Sequence, residues 1–186
     1  MRRASLVLLL AALASCGTRG RAETAEAEVI DTLQAEFLDE GNGCGFLRSA
    51  QAAGPQALVT DYVRRDAAGG FLQGSPWMDS ALTCPAGVPG WDASTVISAH
   101  EVGTATVAGA HATVPVSYTV LGALWGTDSF VVTPRSTQVV FELVRTPWGW
   151  RIDGPRLGPM VLVDSLLGRV ALPDSVVGVI RGAAAE

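Results

Sequence analysis

The chain contains no lysine: all 13 basic residues are arginines, set against 18 acidic residues for a net charge of −5. An acidic domain gains nothing from phosphate attraction, so nucleic acid is not an expected partner. The missing lysine reads as a biased genome rather than as a function. Histidine is nearly absent as well, with only His100 and His111 in 186 residues. Two histidines in one predicted hairpin cannot be assembled into a Ser-His-Asp arrangement, and the spacing of Cys44 and Cys84 matches no zinc motif. The glycine-rich stretch 41–45 follows a predicted helix rather than a strand and lacks the lysine of a phosphate-binding loop. No apolar run approaches eighteen residues, so no membrane-spanning helix is expected. These absences leave no cofactor, no metal and no catalytic set to expect from motifs.

What is present begins at the amino end. Met1-Arg2-Arg3 is positive, residues 6–13 are aliphatic, and Leu13-Ala14-Ser15-Cys16 follows. Eight apolar residues rise only about 12 Å as a helix, far too little to span a bilayer, and the order of segments is that of a secretory signal. The tetrapeptide resembles the lipobox of bacterial prolipoproteins. That resemblance implies that Cys16 receives a diacylglyceryl group, becomes the first mature residue, and is further acylated, for instance with palmitate. Two or more chains give stable attachment where one is marginal. The plainer alternative is an ordinary signal peptide with a coincidental cysteine. On the lipoprotein reading, residues 1–15 are signal, 16–22 are a small, polar tether, and 23–186 form one domain. The mature chain then has 171 residues and a charge of −7. The expected address is the bacterial cell envelope, lipid-anchored. In a two-membraned organism Gly17 resembles the outer-membrane default, with the domain facing the periplasm. If Cys16 carries lipid, Cys44 and Cys84 remain as an even pair, which in an exported domain reads as a disulfide; two unrelated buried thiols are the alternative.

Apolar spacing predicts helices first and strands afterwards. Val29, Ile30, Leu33, Phe37 and Leu38 recur at three- and four-residue steps. A second helix opens at Pro55, with Leu58, Val59, Tyr62 and Val63 on one face and Gly69-Gly70 as its stop. Residues 74–92 read as loop. From 111 the period changes to two, placing Val114, Val116, Tyr118 and Val120 on one side and Thr113, Pro115, Ser117 and Thr119 on the other. Strands are expected at 95–107, with a bulge or strong bend at Gly103, and at 111–121, 137–145 and 150–153, joined by turns at Gly109 and Gly149 and by a long hairpin loop at 125–135 that is partly extended at 129–132. Two short helices are expected at 160–167 and 173–180. The fold class is α+β: N-terminal helices packed on a curved four-stranded antiparallel sheet, with short C-terminal helices.

Residues 102–118, with Gly109 at the turn, and the later stretches 139–145 and 149–153, closing on Gly149-Trp-Arg-Ile-Asp153, resemble the nuclear transport factor 2-like group. That cone fold is shared with ketosteroid isomerase and SnoaL-like proteins. The resemblance covers roughly 23–154 and implies a conical pocket between helices and sheet. Enzymes of the group place acids, tyrosine or histidine there, the isomerase type using a tyrosine beside a protonated acid.

Tyr118 is the one residue whose predicted face points toward such a pocket, and the sequence places no acid beside it. Glu142, between Phe141 and Leu143, is expected to face solvent. His100 and Glu101 point to opposite faces of a strand. Trp125 and Trp150 join Tyr118 as candidate ligand-binding residues, against the plainer reading of core and hairpin packing. The leading expectation is a lipid-anchored, non-catalytic binding domain for a small apolar ligand or an envelope protein. A cone-fold isomerase, dehydratase or hydrolase and a structural envelope-assembly protein are the alternatives.

Overall fold

A proline at the first helical position, where its missing N–H costs nothing, opens the first helix of the structure. This is α1 (Pro55–Ala67), which buries Leu58, Val59, Tyr62, Val63, Asp66 and Ala67 along one stripe. Arg64 and Arg65 in its last turn both pair with Asp61, and the Arg65 guanidinium lies 4.3 Å from the centre of the Trp77 ring. The computed structural model describes residues 54–83 and 92–185, all within one compact unit of the chain, Asn42–Glu186. The signal segment, Cys16, the tether, the helix bearing Leu33 and Phe37, and Cys44 and Cys84 lie outside the described residues.

After a 3-10 turn (Phe71–Gln73) comes α2 (Pro76–Ser80), inside the stretch expected to be loop. The strands are β1 (Ala93–Val102), β2 (Thr106–Ala108), β3 (His111–Trp125), β4 (Ser129–Thr146), β5 (Gly149–Gly154) and β6 (Met160–Leu162). The chain then runs through α3 (Val163–Leu167) and α4 (Asp174–Ala184), the latter extending beyond the 173–180 expected of it. The class is α+β, and the sheet is curled into a half-barrel with the order β5-β4-β3-β1-β6.

The expected order of the four main strands is present, but a simple four-stranded antiparallel sheet is not. The sheet has six strands and is mixed, because β6 pairs parallel to β1 through Thr95–Met160, Val96–Val161 and Ile97–Leu162. Three apolar residues cannot be told from the start of a helix by periodicity, which is why 160–167 reads as helix; only Val163–Leu167 is helical. The expected strand at 95–107 is two pieces, both paired with β3 and interrupted after Val102. At that break Gly103 donates its N–H to Pro115 O at 2.8 Å, and a Cβ there would lie 2.9 Å from the Pro115 ring. Most of the expected loop at 125–135 belongs to β4. Its first half is exposed on both sides, so its sequence shows no alternation.

β3 alternates as its sequence requires: Ala112, Val114, Val116, Tyr118 and Val120 are buried, and Thr113, Ser117 and Thr119 are exposed. The hairpin ahead of it turns on Gly109, whose φ of 62° is the left-handed region that glycine tolerates. Beyond a bulge at Leu121 the two long strands come very close. A Cβ on Gly122 would fall 2.2 Å from Val131 O, so no side chain fits there.

Adjacent strand residues enter different cores. Ile97 and Met160 join Val114, Val116, Tyr118, Phe141 and Leu143 beneath α1. Their neighbours Val96 and Val161 join Leu124, Leu166, Val176 and Ile180 beneath α3 and α4. The sheet is therefore covered on both faces around β1 and β6. Within the described residues the helix meeting the Val114–Val116–Tyr118 face is α1.

Candidate functional site

Asp66 is the one carboxylate in the buried stripe of α1. It follows Tyr62 by four residues, so the two side chains stack on one helix face. Asp66 is 5% exposed. Its Oδ2 accepts the Met160 backbone N–H at 3.1 Å, tying the end of α1 to the start of β6. Its Oδ1 is sealed from solvent and has no partner. Burial pushes its pKa up to about 8, against the pull of the Met160 N–H, so the group is largely neutral at pH 7. Since Oδ2 already accepts, the proton belongs on Oδ1, which makes that oxygen a donor without an acceptor.

Two tyrosines share this environment. Tyr62, under the edges of Phe71 and Phe141 at ring distances of 6.0 and 5.9 Å, is held above the usual phenol range by burial and then by the Asp66 charge. Tyr118, from β3, is raised for the same two reasons in the same order. Among the described residues neither hydroxyl has a hydrogen-bond partner. Asp66, Tyr62 and Tyr118 thus bring three hydroxyl donors to an apolar core, none with an acceptor engaged among the described residues.

Two further groups flank the trio. His100 is directly opposite Tyr118 across the β1–β3 ladder, with ring centres 6.5 Å apart. Its Nδ1 is sealed and unpartnered, and burial lowers its pKa, so the ring is neutral. Glu101 faces the other way and is exposed, as expected from strand alternation. On the Tyr62 side lies Arg156, in the β5–β6 connection. Its Nη2 donates to Thr83 Oγ1 at 3.2 Å, Thr83 Oγ1 donates to Asp153 Oδ1 at 2.8 Å, and Nη1 is sealed without a partner.

Of the three residues the sequence offers for ligand binding, Tyr118 is inside this core and Trp150 packs half-buried against its margin, whereas Trp125 is not part of it. Trp125 ends β3 and is half exposed, and seven residues along a strand put it about 20 Å from Tyr118. Trp150 lies on edge strand β5 opposite Arg145, whereas Tyr118 is opposite Thr137, eight residues back along β4. Glu142 is exposed, as expected. Sequence reading missed Asp66, although a signal was available: it occupies an apolar position in the same helical period as Leu58, Val59, Tyr62 and Val63. His100 carries no sequence signal for this site, because its partner there, Tyr118, adjoins it only across the β1–β3 ladder.

A surface depression of about 430 Å³ lies elsewhere. Its lining of Gln56, Ala57, Thr60, Asp61 and Arg64 is the outward side of α1, opposite the stripe that carries Asp66. It brings no unpartnered buried group together, and we place the site at Asp66. No group of acidic, histidine or cysteine side chains able to hold a metal occurs among the described residues, and none of their helices is long and apolar enough to cross a membrane. Compared with protein-family models, curated proteins and solved structures, the chain matches none.

Proposed function

We propose that this chain is a lipid-anchored protein of the bacterial cell envelope whose domain binds a small, mainly apolar ligand through one hydrogen-bond acceptor. The observation that carries the binding reading is the donor set of neutral Asp66, Tyr62 and Tyr118. The sealed Asp66 Oδ1, a buried donor without an acceptor, costs about 1–3 kcal/mol, and a ligand carbonyl placed against it removes that cost. The half-buried Phe71, Trp77 and Leu157 at the margin of the same core suit an apolar ligand body. The address rests on the lipobox resemblance at Cys16. The nuclear transport factor 2-like reading, with a cone between helix and sheet, is supported by the curled sheet and by α1 lying across its concave residues.

A second reading, a cone-fold enzyme, is favoured by one specific observation: a neutral carboxyl beside tyrosine hydroxyls is an arrangement suited to an oxyanion. Binding is preferred because no second, ionised carboxylate is present in the trio to act as base. Turnover of an apolar ketone by the purified protein would reverse that preference.

The test is native mass spectrometry of protein extracted from the membranes of a bacterial host. The expected result is a mature chain starting at an acylated Cys16 and carrying a bound small molecule. Cys16→Ser should abolish acylation, and Tyr118→Phe should weaken ligand retention about fivefold, the equivalent of one hydrogen bond. A mature start other than residue 16 contradicts the anchor. Protein that retains no ligand, or retains it equally after Tyr118→Phe, contradicts the site.

A further inference from the structure

Asp66 does two incompatible things at once: one oxygen joins two elements and the other has nothing to bond to. The joined elements are far apart in sequence. Asp66 closes the last turn of α1, and Met160 begins β6, the strand that completes the sheet beside β1 through Thr95. The Met160 N–H goes to the Asp66 side chain, so this contact fixes how the end of α1 sits on the sheet.

We propose that Asp66 is a protonation latch: neutral, it holds α1 closed on β6 over the ligand site, and ionised, it lets the two part. This deepens the binding reading by giving that site its regulation, while the mechanics of the latch depend only on Asp66 and Met160. A carboxylate offers about four lone-pair positions, and here a single N–H meets them. The groups facing it from the surrounding elements do not compensate that charge. Tyr62 on α1 and Tyr118 on β3 feel the Asp66 charge without hydrogen-bonding to it. His100 on β1 is neutral and lies beyond Tyr118. Asp79 on α2 is a like charge near Tyr62. Arg156 points its Nη2 at Thr83 and forms no ion pair with Asp66. A buried charge so poorly met is relieved by admitting water, and the lowest-energy route is a local opening of the α1–β6 contact rather than global unfolding. With a buried pKa of about 8, opening becomes easier with each pH unit up to about that value and no easier beyond it.

Amide hydrogen exchange followed by NMR on the full chain from pH 6.5 to 9.5 tests this, with rates expressed as protection factors. One proton released on opening means that protection falls about tenfold per pH unit as pH rises toward the buried Asp66 pKa of about 8 and levels off above it. The expected result is that fall at Met160, Gly69 and Gly70, whose protection stays well below that of the Val116 amide at the centre of β3 at every pH, as a local opening requires. In Asp66→Asn, whose side-chain carbonyl still accepts from Met160 but cannot ionise, the same amides should show flat profiles. Equal profiles in both proteins, or Met160 protected as strongly as Val116, overturns the latch. Should the variant fail to fold, the wild-type comparison of Met160 with Val116 still decides. Ligand retention at pH 6.5 separates the two ideas: retention without the pH-dependent opening sinks the latch alone, and opening without retention sinks the binding reading alone.

Discussion

Val116→Asp unfolds this domain, while Ser117→Asp, one residue along the same strand, changes its melting temperature by no more than a degree or two. Val116 is 0% exposed in the core beneath α1, opposite Val139 on β4, and no cationic side chain of the described residues reaches into that core at this point. An unpaired carboxylate there costs at least about 4 kcal/mol, a large part of the 5–15 kcal/mol that holds a domain of this size together. Ser117 lies on the opposite side of the pleat and is exposed. Circular dichroism melts of the two variants check this. Equal shifts would mean that β3 presents its faces differently from the description above, since a one-residue slip exchanges the two sides of a strand.

Asp66→Asn removes most of the fall in stability between pH 4 and pH 8. The sign follows from the direction of the shift. The folded-state pKa, about 8, lies above the ordinary value of 3.8, so the folded protein binds more protons than the unfolded chain between those values. The stability contributed by neutral Asp66 is complete below about pH 4, declines as pH rises, and is exhausted above about pH 8. A shift of that size corresponds to a decline on the order of 5 kcal/mol across the window. Asparagine keeps an acceptor for Met160 and stays neutral, so its stability curve should be nearly flat where the wild type falls. Urea denaturation at intervals of one pH unit measures both curves, and parallel curves would refute the assignment.

The parts of the fold legible in the sequence are those where one side of an element is buried and the other wet. α1 was readable because Pro55 starts it, Gly69-Gly70 follows it, and its apolar residues recur at helical steps. β3 was readable because Val114, Val116, Tyr118 and Val120 alternate with polar neighbours, and the tight turns at Gly109 and Gly149 fix which strands adjoin. Where both sides are alike the pattern vanishes. The first half of β4 is exposed on each side and resembles a loop, and β6 is three residues buried on successive faces of the sheet. Its parallel partnership with β1 is a long-range contact of which no local pattern carries a trace.

The candidate site was half legible for a related reason. Tyr118 announces its face through the alternation of its own strand. Asp66 was hidden because a charge on a helix is ordinarily assigned to solvent, and only the register of α1 against Met160 shows that this one is inside. His100 becomes relevant only once the β1–β3 pairing sets it opposite Tyr118. Chemistry assembled across a sheet and a helix is written in tertiary register, and periodicity reports only which side of an element a residue occupies.

A neutral carboxyl group buried in the core that holds Tyr62 and Tyr118 is the centre of this account, and the carboxyl carbon resonance of Asp66 followed by carbon-13 NMR through a pH titration of the full chain measures it directly. The account requires a midpoint near 8. A midpoint near 3.8, that of an ordinary solvated aspartate, would contradict it.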